Sequence, residues 1–525
     1  MNSTKQRLTA WLIAGALAGT LSGCSSANTN TDLSQTDNSF DGTVITLADE
    51  GVLVDGQAAS TDSSSKVYVS NDIIYYEEGK DDSYGEGSTA DEHSAEEAAK
   101  HTVVNITEPG NYSVSGSLSY GQILIDLGED ANENPEAVVN LTLNNVNLTS
   151  TVSSAIVALN AYECSAESAA EPSKDVDTAD AGFNLILADD SVNVINGSHV
   201  AKIYKEGTTK KKYKFDGAIE SKVSMNINGE EKGNGQLTVN ADNEGIETYM
   251  HLTINGGVLT VNSADDSLNA NEDNISVITI NGGTITCDAG NGEEGDGIDS
   301  NGWIVINGGI IIASANPSSM DSGVDSDLGI YINGGTLLAS GNMYDEIAAE
   351  SAQNFIVLNF NEKQHEEDLI VLKNSDDKAI AAFYAVNDYT VLVYSSDQLA
   401  EGDYTAAKAA SVTGELNGSI YTKISDADIT AQLEYSTSGG RGMGHGGFGM
   451  KPEGMNEDDL KKPDGEKDEN RMGKPEGDMK EPPENGGEMP QGLPDFNVQD
   501  DDSEKLTSFT LSKGGTFLYS VAEQK

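Results

Sequence analysis

Positive charge is scarce in this 525-residue sequence: 30 Lys and Arg stand against 87 Asp and Glu, a net charge of −57. Such a surface repels nucleic acid and anionic headgroups and attracts cations, which argues against nucleic-acid binding. Between Gly233 and Glu362 there is neither Lys nor Arg, and beyond residue 24 the arginines are Arg441 and Arg471. Cysteine is equally rare. Of three, Cys24 falls near the N-terminus, and Cys164 and Cys287 alone build no disulfide framework. Tryptophan occurs twice, and only Trp303 lies beyond the N-terminal segment, so a row of tryptophans for stacking on sugars is missing. No loop has the twelve-residue EF-hand spacing, and no leucine-rich signature is present.

What is there is a repeat. Leu252-Thr253-Ile254-Asn255-Gly256-Gly257 returns as Ile278-Thr279-Ile280-Asn281-Gly282-Gly283, Ile304-Val305-Ile306-Asn307-Gly308-Gly309 and Ile330-Tyr331-Ile332-Asn333-Gly334-Gly335. The asparagines are 26 residues apart, and Ile356-Val357-Leu358-Asn359 keeps the register without glycines. A fixed period of this size marks stacked units that bury their apolar faces against each other. Three strand-like pieces per period fit one turn of a parallel β-helix, whereas a propeller blade needs roughly 40 residues. Alternation sends the column Ile254, Ile280, Ile306, Ile332, Leu358 inward, with Leu259, Ile285, Ile311, Leu337 as a second column. The asparagines are expected to form an amide ladder at a bend whose glycines supply unusual backbone angles. Cys287 shares its repeat position with Val261, Ala313 and Ala339 and reads as a small core residue. Gln122-Ile123-Leu124-Ile125, the run from Val139 to Asn145, and Asn184-Leu185-Ile186-Leu187 read as earlier, less regular copies of the same strand.

A second recurring element is acidic. It appears as Asp216-Gly217-Ala218-Ile219-Glu220, Asp242-Asn243-Glu244-Gly245-Ile246-Glu247, Asp265-Asp266-Ser267-Leu268-Asn269, Asp296-Gly297-Ile298-Asp299 and Asp321-Ser322-Gly323-Val324-Asp325-Ser326-Asp327, with Asp345-Glu346-Ile347 as a further copy. With the apolar member inward, its neighbours point outward and stack coil over coil. Carboxylates one coil apart repel by about 1 kcal/mol in water and several-fold more near a protein surface. Two readings fit: a solvated acidic edge with diffuse counter-ions, or bound calcium, which takes six to eight oxygens in flexible geometry.

The ends complete the organisation. Lys5 and Arg7 precede a short apolar run from Trp11 to Leu21, a targeting signal too short to span a bilayer comfortably. Leu21-Ser22-Gly23-Cys24 resembles the lipobox of bacterial lipoproteins, which implies acylation of Cys24 and anchoring outside the cytoplasmic membrane. The expected order is a signal peptide over 1–23, a flexible tether over 24–40, the parallel β-helix over 41–360 and a small antiparallel β domain over 361–435. A disordered Gly/Pro/Met-rich and acidic segment follows over 436–500, and terminal strands over 501–525 complete the small domain.

The lipobox, the Asn-Gly-Gly coils, the Asp-Gly-Ile-Asp element and the small C-terminal domain together resemble a family of bacterial surface proteins, the carbohydrate-binding domain-containing proteins. That resemblance implies an all-β fold dominated by a right-handed, calcium-bearing parallel β-helix, related in fold to pectate lyases, that binds cellulose or acidic sugars such as polygalacturonate. It also implies calcium ligands among Asp242, Asp265, Asp266, Asp296, Asp299, Asp325 and Asp327. Trp303, Tyr249 and Tyr331 are the aromatic faces offered to a sugar, with Tyr344 as a further one. Catalysis is not expected. A lyase needs a base, Arg or Lys, beside the metal, and the most regular coils hold neither Arg nor Lys. A hydrolase needs two carboxylates at a set separation, but the Gly-His-Gly of polygalacturonases occurs only as Gly444-His445-Gly446 in the low-complexity tail. His251 reads as structural, and the pair Asp265 and Asp266 as cation ligands. A surface spacer or adhesin that contacts another protein is the alternative to a glycan binder.

Overall fold

A computed structural model of the protein describes residues 40–77, 91–165, 172–204, 211–437 and 505–524. The expected signal peptide, Cys24, the tether to residue 39 and positions 438–500 of the low-complexity segment lie outside the described residues. What is described is nearly all β. The one α-helix among the described residues is the single turn Ala95–Ala98, capped by Ser94, whose Oγ accepts from Glu97 N at 3.2 Å.

The central strands fall into three columns in which each coil pairs in parallel with the next. The first contains Phe183–Leu187, Met225–Gly229, Leu252–Ile254, Val277–Ile280, Trp303–Ile306 and Gly329–Ile332. The second runs from Val192–Gly197 through Gln236–Ala241, Val258–Asn262, Thr284–Asp288 and Ile310–Ser314 to Thr336–Gly341. The third contains Thr102–Ile106, Gly121–Asp126, Ile156–Asn160, Gly217–Ser221, Glu244–Thr248, Leu268–Ala270, Ile298–Ser300 and Asp325–Ser326. Side chains 26 positions apart lie over one another: Ile254, Ile280, Ile306 and Ile332 share one rung position, and Val261, Cys287, Ala313 and Ala339 another. All of these are buried, in one continuous core. Each enclosed isoleucine contributes about 1.5–3 kcal/mol of hydrophobic stabilisation.

The amide ladder forms at the bend. Asn255 Nδ2 donates to Asn228 Oδ1 at 2.9 Å, and the pattern repeats from Asn281 to Asn255 (2.9 Å), Asn307 to Asn281 (3.0 Å) and Asn333 to Asn307 (2.9 Å). The second glycine of each bend is left-handed, with φ of 98°, 93°, 86° and 80° at Gly257, Gly283, Gly309 and Gly335. At Gly309 a Cβ would also lie 3.0 Å from the backbone of Gly282 and Gly283.

Two strands sit elsewhere than the repeat predicts. Gly121–Asp126 belongs to the third column, paired with Thr102–Ile106 and Ile156–Asn160, and not with Val139–Thr149 and Phe183–Leu187. Apolar alternation marks a strand but not its column when the Asn-Gly-Gly bend is missing. Residues 356–359 add no further rung. They lie in Phe355–Gln364, which pairs antiparallel with Tyr389–Ser396 and parallel with Thr516–Glu523. Leu358 therefore packs in a second core, with Phe383, Tyr389 and Leu518. Without its glycines the segment cannot make the bend, and Tyr389–Ser396 takes the open edge of Thr336–Gly341 antiparallel.

The remaining C-terminal strands are antiparallel: Leu369–Asn374 with Ala379–Phe383 and Gly402–Asn417, and Gly402–Asn417 with Ile420–Ser436 and Phe509–Leu511. Their core also takes in Ile312 and Leu338 from the second column.

His251 is fully buried, and its Nδ1 accepts from Val277 N at 3.1 Å. Burial drops its pKa to about 4, so the folded chain holds a neutral ring while the unfolded chain protonates near 6.5. This contribution is complete above about pH 6.5 and is lost as pH falls towards 4, by up to about 1.4 kcal/mol per pH unit. Asn at this position keeps an acceptor without the titration. Denaturant unfolding at pH 7 and pH 5 is expected to cost wild type about 1–2 kcal/mol more than His251→Asn; parallel losses would contradict this account. Gly309→Ala is expected to lower stability by about 1–2 kcal/mol, read as a shift in the urea midpoint.

Candidate metal centre

The third column carries the acids. Immediately after its buried apolar residue, register places Val157, Glu220, Glu247, Asn269, Asp299 and Asp325 one over another. Two residues before it come Glu244, Asp266 and Asp296. Strand alternation turns the first row away from the coil interior, and the second row meets it at the start of the strand, Glu244 with Glu247 and Asp296 with Asp299, yet Glu220, Glu244 and Glu247 are buried. Val157, at the head of the row, packs with Tyr76, Val200 and Phe215, the last two from paired strands of the 200–215 insertion. The acids further along are half-buried and open to solvent.

The row has two clusters. In the first, Asp216, Glu244 and Glu247 can each place a carboxylate oxygen within 4.8 Å of the others. Lys214 Nζ lies 2.5 Å from Asp216 Oδ2, 3.5 Å from Glu247 Oε1 and 3.7 Å from Glu244 Oε1. Lys222 Nζ lies 2.6 Å from Glu220 Oε1, donates to the Lys214 carbonyl and sits 3.8 Å over the Tyr249 ring. Burial works against both ammoniums, but carboxylates hold both above the usual lysine range: Glu244, Glu247 and Asp216 around Lys214, Glu220 and Glu247 around Lys222. Burial and the Glu247 charge push Glu220 well above the carboxylate range.

In the second cluster, Asp296, Asp299 and Asp325 likewise bring oxygens within 4.8 Å. Backbone N–H groups of the neighbouring coil orient the carboxylates of Asp266, Asp296 and Asp345. Asp266 Oδ1 accepts from Asp296 N at 2.7 Å, Asp296 Oδ1 from Ser322 N at 2.6 Å, and Asp345 Oδ2 from Ser326 N at 3.1 Å. Each such bond occupies one oxygen of a carboxylate. Burial, then Asp266, Asp325 and Asp299, push Asp296 well above the carboxylate range; burial, then Asp299 and Asp265, do the same to Asp266. Burial and Asp325 push Asp345 up to about 7. Between the clusters, Asn269 is only 6% exposed and its Oδ1 has no hydrogen-bond partner. A buried amide oxygen beside half-buried carboxylates is a donor set suited to a hard cation.

The seven aspartates expected as ligands are not all brought together. Asp296, Asp299 and Asp325 meet, and Asp266 joins them through the Asp296 amide. Asp265 lies beside this row, pushed up to about 6 by burial and by Glu294. Asp242 belongs to another constellation, with His199 Nδ1 at 2.9 Å and Ser198 Oγ at 2.7 Å. Asp327 is exposed, beyond the last strand of the column. Of the aromatic residues, Tyr249 is covered by Lys222, and Tyr331 has Lys174 Nζ 4.9 Å from its ring centroid. Trp303 is half-buried and shares the outward face of the first column with Tyr331, on adjacent coils. Tyr344 packs on Phe517 with centroids 5.5 Å apart. The acidic element included Asn269 and Asp345 without choosing them as ligands, and sequence reasoning missed Lys214 and Lys222 as members of the site. Each lysine stands two residues outside the element that runs from Asp216 to Glu220, Lys214 on a strand of the insertion and Lys222 just beyond the column strand, so no repeat position marked either.

Comparison with known proteins places the chain. A family model described as carbohydrate-binding domain-containing protein matches residues 100–397, more than half of the chain, and the chain belongs to that family. A carbohydrate-binding domain-containing protein of Acetivibrio thermocellus is 36% identical over 159 residues, which is 30% of this chain and 44% of the relative. The chain thus matches less than half of that protein's length. A solved polysaccharide lyase-like protein from C. thermocellum, studied as a gadolinium derivative, aligns over 58% of this chain and 90% of its own at 23% identity and a TM-score of 0.34.

Asp325→Asn is expected to act in opposite directions with and without divalent ions. In chelator the loss of repulsion is expected to raise stability by about 1 kcal/mol, and in millimolar calcium, were the row to take an ion, the loss of an oxygen is expected to lower it. Thermal melts in the two buffers check this, and a shift of the same sign in both would contradict it.

Proposed function

We propose that this protein is a calcium-dependent, non-catalytic polysaccharide binder, held at the bacterial cell surface by a lipid on Cys24. Its central columns are the turns of a right-handed parallel β-helix. The observation that carries the reading is the open row Asp266, Asp296, Asp299 and Asp325 in a stretch without a single Lys or Arg. Calcium there, completed by Asn269 Oδ1, neutralises the row and leaves coordination positions for oxygens of a glycan. An acidic polysaccharide such as polygalacturonate suits this best, because its carboxylates reach an otherwise repellent face through the ions. Trp303 and Tyr331 offer a separate apolar surface on the first column.

Two observations weigh against a lyase. The lysines against the acids, Lys214 and Lys222, are held charged and cannot take a proton at neutral pH. His251 is enclosed in the core, away from any substrate. Family membership supports the carbohydrate partner.

A glycan array probed in calcium and in chelator tests the reading. Signal on acidic polysaccharide is expected in calcium only, and an Asp299→Asn/Asp325→Asn variant is expected to lose it. Signal on no glycan in either buffer favours a surface spacer. Unsaturated products absorbing in the ultraviolet, or new reducing ends, would restore an enzyme.

A further inference from the structure

The Lys214 cluster has a geometry that the proposed calcium row does not explain. Three carboxylates converge there as they do at Asp296, Asp299 and Asp325, one coil after another on the same column. Lys214 Nζ stands among them, 2.5 to 3.7 Å from one oxygen of each. An ammonium has three hydrogens, so it satisfies three oxygens and leaves others over. Three remain without a hydrogen-bond partner, Asp216 Oδ1, Glu244 Oε2 and Glu247 Oε2, the last two on side chains only 4% and 0% exposed. Six carboxylate oxygens, some unpartnered, exceed what one ammonium can use and match what one calcium-like ion takes.

The geometry points to Asp216, Glu244 and Glu247 as a second divalent-cation site, whose place Lys214 fills with a cation tethered to the chain. The ammonium arrives on the strand Lys211–Phe215, part of the insertion that covers the head of the column, where Phe215 packs against Val157. The first coils of the acidic row therefore carry their own counter-charge, and the later coils draw theirs from solution. The ion the site takes without Lys214 is a hard, oxygen-preferring divalent cation such as calcium. This inference is independent of whether the later row binds calcium.

Lys214→Met keeps the length of the stem and removes the charge. Bound calcium per chain, measured by equilibrium dialysis on the full-length protein, is expected to rise by one over wild type. The same variant is expected to melt well below wild type in chelator and to regain more of its melting temperature in millimolar calcium than wild type gains. Terbium luminescence excited through the neighbouring Tyr249 gives a local readout, expected in Lys214→Met and weakened at least several-fold in Lys214→Met/Tyr249→Phe. Lys214→Met/Glu244→Gln, with one carboxylate fewer, is expected to fold in chelator and to lose the added ion. An unchanged ion count overturns the inference. So does a Lys214→Met chain that stays insoluble even in calcium, because an ion able to replace the ammonium would restore the fold. Failure of the earlier reading looks different: wild type then binds no calcium, while Lys214→Met still gains one ion.

Discussion

Like side chains one coil apart are forced to within about 4.8 Å of each other, and everything else in this molecule follows from that spacing. For isoleucine and asparagine the repetition is cooperative, because apolar surfaces enclose one another and each amide finds a donor below and an acceptor above. For carboxylates it is adverse. The chain nevertheless repeats acids along one column, and recesses them, so positive charge has to be placed beside them.

Along this column the counter-charge comes in more than one form. At the head, two ammoniums from the chain stand among the acids. Further along, the sequence offers no ammonium at all, which is why calcium is proposed there. The two arrangements have different consequences. A tethered ammonium makes its coils stable in any medium, whereas dissolved ions make stability track the composition of the surroundings.

Much of this was legible in the sequence where two signals coincided. The Asn-Gly-Gly bends fix both the strand and its register, so the first and second columns follow from residues 252–335. Where one signal was missing the reading slipped: Gly121–Asp126 alternates correctly but lies in the third column, and residues 356–359 keep the period but lack the glycines that turn the chain. At the site, Asp296, Asp299 and Asp325 share an element spaced at 26 and were visible together. Asp242 was not separable from them, because the contact that claims it comes from His199, 43 residues earlier and in no repeat. Lys214 sits in an insertion, and no periodicity says where an insertion folds back.

The antiparallel strand Tyr389–Ser396 on the edge of Thr336–Gly341 carries one more consequence. A stack of parallel strands offers at its last coil the same unpaired edge on which every earlier coil was laid, and a second copy of the chain could continue it into a fibre. A strand running the other way presents a mismatched template and stops the growth. At the opposite end, Val67–Ser70 lies antiparallel on Thr102–Ile106 and closes the third column in the same manner. Each reversed strand thus closes the column it lies on, and how many charged rungs the chain displays is set by its own repeat and not by its concentration.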